Sequence, residues 1–200
     1  MAAIMDFDAQ GIKRKHRFVR GLMRSAARLV YEDVQAAIDG LPNERTEPLL
    51  EPVIRPLYDA YAVLAAARSK RGPLELEVAE RVFQMNADRT RITGVAPRAR
   101  LDAHRLIEDF MIAANVAAAE TLTDRLAPCL FRVHDTPDPA RVESLAGVLA
   151  EMGIKASPNA ITRPSQFTEL VRKAEGTDYA ALVSELVLRA QAQAVYHPEN

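Results

Sequence analysis

Seven basic residues and one histidine lie between residues 13 and 28, and no acidic residue interrupts them. They are Lys13, Arg14, Lys15, His16, Arg17, Arg20, Arg24 and Arg28. Such a run can follow the phosphates of a nucleic acid, while neighbouring aromatic rings such as Phe18 and Tyr31 stack on bases. It is also typical of a solvated edge strand that charge protects from pairing, which is the preferred interpretation on the residues alone. The alternation is imperfect, so the charges need not share one face.

A carboxylate lies beside the apolar stripe of a helical pattern that runs from about Ala99 to Leu126. The positions predicted to face the core recur at helical spacing: Leu106, Ile107, Phe110, Met111 and Ala114. Glu108 follows directly after Ile107, so we expect its carboxylate to be partly buried and to need a partner. Arg105, His104 or Arg98 could pair with it on the helix surface. Alternatively, the carboxylate serves a ligand.

Asp6 and Asp8 alternate along the first predicted strand and raise the question of a metal site. Two carboxylates on one strand face can contribute to Mg²⁺ binding, but such sites need further oxygen ligands and usually substrate phosphates. Asp8 also directly precedes Ala9-Gln10-Gly11, where an Asp side chain commonly serves a turn. We therefore assign no metal ligand, and the sequence contains no zinc-type Cys/His spacing.

Composition is that of an ordinary globular protein. The chain has 200 residues, 48% of them hydrophobic and 26% charged, with a formal net charge of −1. Its length makes one domain the default expectation. The single cysteine, Cys129, excludes an internal disulfide framework and fits a reducing compartment. The sequence has neither a secretory pattern nor an apolar run of membrane-spanning length, so we expect a cytoplasmic protein without a membrane partner.

The hydrophobic patterns predict an α+β fold that is mostly helical with a small antiparallel sheet. Strands are predicted at Ala2–Asp8, Ile12–Leu29, Leu74–Val78, Arg81–Met85 and Arg91–Val95, the first two as a hairpin. Besides the Ala99–Leu126 helix, helices are predicted from near Tyr31 to Gly40 and at Leu49–Ser69, Pro139–Met152, Pro164–Ala174 and Asp178–Val195. Two of these helices are predicted to begin at Pro139 and Pro164, because the first helical turn tolerates proline.

Five segments of the chain carry a resemblance to a known family. In order, they are SAARLVY at Ser25–Tyr31, residues 57–76 with RGPLEL at their end, RLIEDFMIAAN at Arg105–Asn115, FRVHDTPDP at Phe131–Pro139, and Leu188–Asn200. Together they resemble the catalytic domain, the RNB domain, of the ribonuclease II and ribonuclease R family. Members of this family are processive 3′→5′ exoribonucleases, and the resemblance extends from about residue 1 to residue 200.

The resemblance implies roles at two positions. The family tyrosine that matches Tyr31 packs against the terminal nucleotides and helps to limit the shortest product; the residue-based alternative is that Tyr31 only covers the core. The glutamate that matches Glu108 faces the active centre and touches the ribose of the bound 3′ end. A carboxylate that accepts from a 2′-OH helps to distinguish RNA from DNA.

The resemblance also favours RNA binding by part of the basic run. We expect RNA contacts from Arg17, Arg20, Arg24 and Arg28, with single-stranded RNA as the partner. Phe83 is a less certain match to the family's second stacking ring, and we expect it in the core.

Two parts of the family pattern are absent from this sequence. The metal-binding aspartates would precede the matched segments, and an arginine-bearing block would follow Asn200. We therefore interpret residues 1–200 as a single partial RNB domain that carries no catalytic residue and is inactive alone. Mg²⁺ is expected in the complete family enzyme, held by none of these residues, and the flanking parts of the domain are expected partners.

Two other interpretations remain open. The chain could be a non-catalytic RNA-binding remnant, or a helical protein–protein interaction module. Phosphate binding predicts an affinity that depends steeply on salt, whereas a protein-binding surface predicts an exposed apolar patch.

Overall fold

The computed structural model describes residues 1–74, 76, 81–97, 99–158, 161 and 163–199. The chain divides into two compact units, one formed by residues 1–71 and 99–129 and the other by residues 72–98 and 130–200. In the described residues, none of the helices has the length and apolar character that a membrane span requires.

The first unit combines a β-hairpin with helices. Its strands are β1 (Ala2–Phe7) and β2 (Lys13–Val19), and its helices are α1 (Tyr31–Ile38), α2 (Glu47–Leu49), α3 (Arg55–Lys70) and α4 (Asp102–Asp124). A π-helical segment, Leu50–Ile54, joins α2 to α3. It contains Pro52, while Pro56 lies in the first turn of α3, where a missing N–H costs no helical hydrogen bond.

Among its described residues, the second unit contains two antiparallel strand pairs and three α-helices. β3 (Arg81–Met85) pairs with β4 (Ile92–Pro97), and β5 (Phe131–Val133) pairs with β6 (Val195–His197). The helices are α5 (Pro139–Glu151), α6 (Pro164–Ala174) and α7 (Ala180–Ala190). Their core contains Leu149, Phe167, Val183 and Val187, which are at most 1% exposed.

The β1–β2 hairpin is closed by an Asp turn, as the sequence predicts. The Asp8 carboxylate accepts from the backbone N–H groups of Gln10 and Ile12 at 2.9 Å. The Ile12 hydrogen bond is the largest influence on the pKa of Asp8, which lies below its ordinary value. Gly11 has φ +74°, and a Cβ there would lie 2.6 Å from the Cβ of Ala67 on α3. The turn therefore needs glycine both for its backbone conformation and for its close packing on α3.

Helix α4 packs on α1 and α3. Its buried residues are Ala103, Leu106, Asp109 and Ala117. The predicted stripe is therefore wrong in part: Ile107 is 40% exposed and Met111 is 60% exposed. The face of α4 that is buried in this chain is therefore rotated from the predicted stripe and includes a carboxylate, Asp109.

The predicted fold class is confirmed, although the strands in the described part of the chain form three two-stranded sheets. Helix α6 and strand β3 have their predicted bounds. The predicted return strand Ile12–Leu29 is wrong beyond Val19, because residues 20–30 are irregular and leave Leu22 and Met23 almost fully exposed.

Three other predictions about elements need correction or fall outside the described residues. The last helix ends at Ala190, because the chain then forms β6 beside β5. The predicted helix Leu49–Ser69 is divided by the π-helical segment. For the predicted strand Leu74–Val78, residues 75, 77 and 78 lie outside the described residues, while Leu74 and Leu76 pack against the core of the second unit.

Candidate nucleic-acid interface

The first three cations of the basic run are each paired with an acid of the first unit. We call Lys13, Arg14 and Lys15 the proximal cations. Lys13 Nζ lies 2.5 Å from Glu120 on α4, Arg14 lies 2.6 Å from Asp8, and Lys15 lies 3.0 Å from Asp6 across the hairpin. These charges are therefore largely neutralised by the fold itself.

The remaining four cations have no such partner. We call Arg17, Arg20, Arg24 and Arg28 the distal arginines, and all four are exposed. Within the part of the chain that the structure describes, none of the four forms an ion pair. Arg17 lies on β2. The other three lie within the irregular segment of residues 20–30, which directly precedes Tyr31. These are the four arginines that the sequence predicts as RNA contacts, and the fold leaves their charges available.

Tyr31 is the first residue of α1 and is 39% exposed. Its ring stacks on the ring of His104, with the centroids 4.1 Å apart and the planes inclined by 23°. The Gln35 side chain holds α1 against the start of α4, since its Oε1 accepts from the Ala103 N–H at 3.1 Å and from the Tyr58 hydroxyl at 3.3 Å. Burial, followed by the charge of Asp102, raises the pKa of Tyr58 to about 12, so its hydroxyl keeps the proton that it donates.

His104 occupies an unusual position in the first turn of α4. Its Nδ1 accepts from the Leu101 backbone N–H at 3.2 Å, while the His104 backbone N–H donates to the Leu101 carbonyl at 3.0 Å. Its Nε2 is buried and has no hydrogen-bond partner among the described residues. Leaving a buried polar atom unpaired costs about 1–3 kcal/mol. The sequence indicated His104 only as a possible partner of Glu108 and not as a stacking residue, because Tyr31 lies far away along the chain.

Glu108 is partly buried, as predicted, with 38% of its side chain exposed. One oxygen binds Arg68 of α3 at 3.3 Å, and the other binds Arg100 at 2.5 Å. Partial burial opposes ionisation, but the Arg100 hydrogen bond and the charges of both arginines outweigh it, so the pKa of Glu108 lies below its ordinary value. Neither partner was among the three predicted. Arg105 forms an ion pair with Asp102, His104 accepts from the Leu101 N–H, and Arg98 lies outside the described residues.

Asp109 is the buried acid of this cluster and was missed by the sequence analysis. Its side chain is 7% exposed, and its Oδ1 accepts from Arg68 Nη1 at 2.5 Å. One guanidinium therefore binds two adjacent carboxylates. Burial lowers the pKa of Arg68, but the hydrogen bonds and charges of Asp109 and Glu108 outweigh it, so this pKa lies above its ordinary value. An Asp directly after Glu108 within an apolar helix was the available signal, since a buried carboxylate requires a cation.

The geometry brings two of the predicted site residues to one region of the first unit. The Tyr31 ring stacks on the His104 ring, and Glu108 lies one helical turn after His104 on α4. The region thus offers an aromatic ring and a carboxylate whose oxygens retain lone pairs for a further donor. These are groups that can hold a base and a sugar hydroxyl.

Other predicted candidates do not join this region. Asp6 and Asp8 are occupied by Lys15, Arg14 and turn N–H groups, and no group of metal-ligating residues is formed among the residues described. Phe83 belongs to the second unit and is 61% exposed on β3, so the prediction that it lies in the core is wrong.

Comparison with known proteins gives a consistent result. A family model for the RNB domain matches residues 1–200. Ribonuclease R of Vibrio parahaemolyticus is 33% identical over the whole chain, and ribonuclease R of Escherichia coli is 34% identical over the whole chain. This chain spans 24% and 25%, respectively, of the lengths of these two relatives.

Solved structures of Mycoplasma genitalium RNase R share the fold. The chain in complex with ribose methylated single-stranded RNA is 20% identical with a TM-score of 0.84, and the match covers 98% of this chain and 30% of that one. The complex with double-stranded RNA gives a TM-score of 0.85 over 98% of this chain and 35% of that one.

Proposed function

Because this chain belongs to the RNB domain family, we propose that it is part of a 3′→5′ exoribonuclease that hydrolyses single-stranded RNA processively. In this proposal the chain supplies contacts to the RNA backbone and to the 3′ end. The names of its relatives support the activity, and the Mycoplasma genitalium complex with ribose methylated single-stranded RNA supports the type of ligand.

One observation carries the proposal for this chain. The distal arginines lie along a segment that leads directly to Tyr31, and these cations have no acidic partner among the described residues. The order of groups along the chain, from cations to an aromatic ring, suits a single strand whose phosphates meet the arginines and whose terminal base meets Tyr31.

Each group has a distinct proposed role. The distal arginines attract phosphates and bind them without regard to sequence. The exposed part of the Tyr31 ring stacks on a base near the 3′ end and sets the length of the shortest product. Glu108, fixed by Arg68 and Arg100, accepts from a ribose 2′-OH and so favours RNA over DNA.

The described acidic residues of this chain do not fit a divalent metal site. Asp6 and Asp8 are exposed or engaged in the hairpin, and Glu108 and Asp109 are bound to arginines. Phosphodiester hydrolysis in the complete family enzyme would use Mg²⁺, and we assign that function to residues outside this chain. The isolated chain is accordingly proposed to bind RNA without degrading it.

The exposed apolar residues of α4 fit a further partner. Ile107 and Met111 lie one turn apart and are 40% and 60% exposed. Since this chain spans about a quarter of the length of its curated relatives, we propose that this face packs on a flanking part of the same catalytic domain. Burial of such a face is the usual outcome in a complete protein.

A binding experiment with matched tyrosine variants tests the proposal. The 200-residue chain is titrated into single-stranded RNA that carries a 5′ fluorophore and a free 3′ end, in the presence of Mg²⁺. Tyr31→Ala should weaken binding by roughly 1–3 kcal/mol, the usual value of a stacked base. Tyr179→Ala removes a tyrosine of the second unit that is 49% exposed, and it should leave the affinity unchanged.

The same samples are analysed on a denaturing gel. The RNA should remain at full length, because the described acids do not form a metal site. Progressive shortening by the purified chain, or equal affinities for the Tyr31 and Tyr179 variants, would contradict the proposal.

A further inference from the structure

We propose that His104 is a positioning residue that forms the rear layer of the nucleotide stack, so that RNA binding builds a three-layer arrangement of His104, Tyr31 and a base. This inference rests on the proposed stacking role of Tyr31 and adds to it the group that fixes the ring. His104 itself does not contact the RNA.

The stacking geometry supports this role. The two ring centroids are 4.1 Å apart at an interplanar angle of 23°, so His104 covers one face of the Tyr31 ring. Tyr31 remains 39% exposed, which leaves ring surface available to a base. A ring already held on one side loses less freedom when a base binds on the other side, and preorganisation of this kind strengthens binding.

His104 is itself held in one orientation. Its Nδ1 accepts from the Leu101 N–H, so the proton of the neutral ring is on Nε2. The interaction of α1 with the start of α4 through Gln35 and Ala103 places the Tyr31 backbone opposite this ring. Both partners of the stack are therefore fixed by contacts that do not involve RNA.

The unpaired Nε2 argues against a purely structural role for His104. Glutamine at this third position of a helix commonly accepts from the N-cap N–H, and it would serve Leu101 without burying a polar ring atom. In the described structure, His104 leaves Nε2 buried and without a hydrogen-bond partner. Glutamine lacks the flat ring of histidine, and it is this ring that stacks on Tyr31.

Two substitutions separate the ring from the hydrogen-bond acceptor. His104→Gln retains an acceptor for the Leu101 N–H and removes the ring, whereas His104→Phe retains a ring and removes the acceptor. Binding is measured with a single-stranded oligoadenylate that carries 2-aminopurine at its 3′ end, whose fluorescence is quenched by stacking.

We expect His104→Gln to weaken binding about 2- to 10-fold, the range of an aromatic pair, and to reduce the quenching. His104→Phe should stay within about twofold of the unmodified chain. Unchanged binding and quenching in His104→Gln would overturn the inference. Equal losses in the two variants would also overturn it, because they would show that the acceptor or the side-chain shape is what matters.

A measurement on the unmodified chain does not depend on the folding of any variant. Nuclear Overhauser effects between the Tyr31 and His104 rings should persist when RNA is added, while new ones join Tyr31 to the terminal base. Loss of the Tyr31–His104 contacts on RNA binding would refute the three-layer arrangement.

Failure of the inference is distinguishable from failure of the proposed function. If the chain does not bind the RNA, or if Tyr31→Ala binds as well as the unmodified chain, the proposed function itself fails. If Tyr31→Ala binds weakly while His104→Gln binds normally, Tyr31 stacks without support from His104.

Discussion

The proximal cations and the distal arginines belong to one uninterrupted basic run, yet the fold treats them differently. Lys13, Arg14 and Lys15 are each within 3.0 Å of a carboxylate, whereas the distal arginines have no ion pair within the described part of the chain. The paired cations link the two strands of the hairpin and connect it to α4. The unpaired ones are available to a ligand of negative charge.

The difference arises from where the acids lie in the fold. Asp6 and Asp8 are brought beside Lys15 and Arg14 by the antiparallel register, and Glu120 is brought beside Lys13 by the packing of α4. Beyond Val19 the strand ends, and no acidic residue reaches the distal arginines within the described structure. The number of cations in a sequence therefore overestimates the positive charge available to a ligand, because some of these cations form ion pairs within the fold.

The largest expected effect concerns Arg68, the cation with the most buried acidic partner among the described ion pairs. Arg68→Ala would leave Asp109, which is 7% exposed, as an uncompensated carboxylate. Breaking such a pair should lower the free energy of unfolding by about 3 kcal/mol. Urea unfolding monitored by circular dichroism measures the loss.

Arg55 on the same helix provides the matched control. Its pair with Glu51 is exposed, with 50% and 73% of the two side chains accessible, so Arg55→Ala should cost at most about 0.5 kcal/mol. Equal losses of unfolding free energy in Arg68→Ala and Arg55→Ala would contradict this prediction, because they would show that burial of the acidic partner does not set the strength of an ion pair.

A smaller effect is expected from Glu108 and depends on pH. Its pKa in the folded protein lies below the ordinary value of 4.5, so the carboxylate stabilises the fold in its charged form. This contribution is fully present above about pH 4.5 and is lost as the pH falls through the folded pKa. Glu108→Gln lacks it at every pH, so the two proteins should differ at pH 7 and converge in acid.

Thermal unfolding between pH 7 and pH 3 checks this prediction. Because Glu108 is more than one-third exposed, the difference at pH 7 should be about 1 kcal/mol or less. Glu51→Gln, which alters an exposed pair, should show a smaller difference. A gap between Glu108→Gln and the unmodified protein that widens on acidification would contradict the assigned direction of the pKa.

Local signals in the sequence were sufficient for several elements. Pro164 and the apolar spacing after it gave the bounds of α6, and the alternation after Arg81 gave β3. The Asp8 turn and the start of α1 at Tyr31 were also predicted correctly. In each case, the determining interactions lie within a few residues along the chain.

Features that depend on distant contacts were not predicted. The buried face of α4 depends on its packing on α1 and α3, and β6 forms because Val195–His197 pairs with β5. The stack of Tyr31 on His104 and the binding of Arg68 to Asp109 join helices separated along the chain. The sequence indicated that Glu108 needs a partner, but it did not identify Arg68 or Arg100.

The salt dependence of RNA affinity tests the central claim most directly. Arg17, Arg20 and Arg24 are replaced together by Ala in one variant, and Lys13, Arg14 and Lys15 in another, so that the same positive charge is removed from each. If the distal arginines hold phosphates, the first variant should flatten the slope of log affinity against log salt by about 0.7 per lost contact on a single strand, or about 2 in total. The second variant should leave the slope close to that of the unmodified chain. An unchanged slope in the first variant, or equal changes in both, would show that the distal arginines are an ordinary solvated surface.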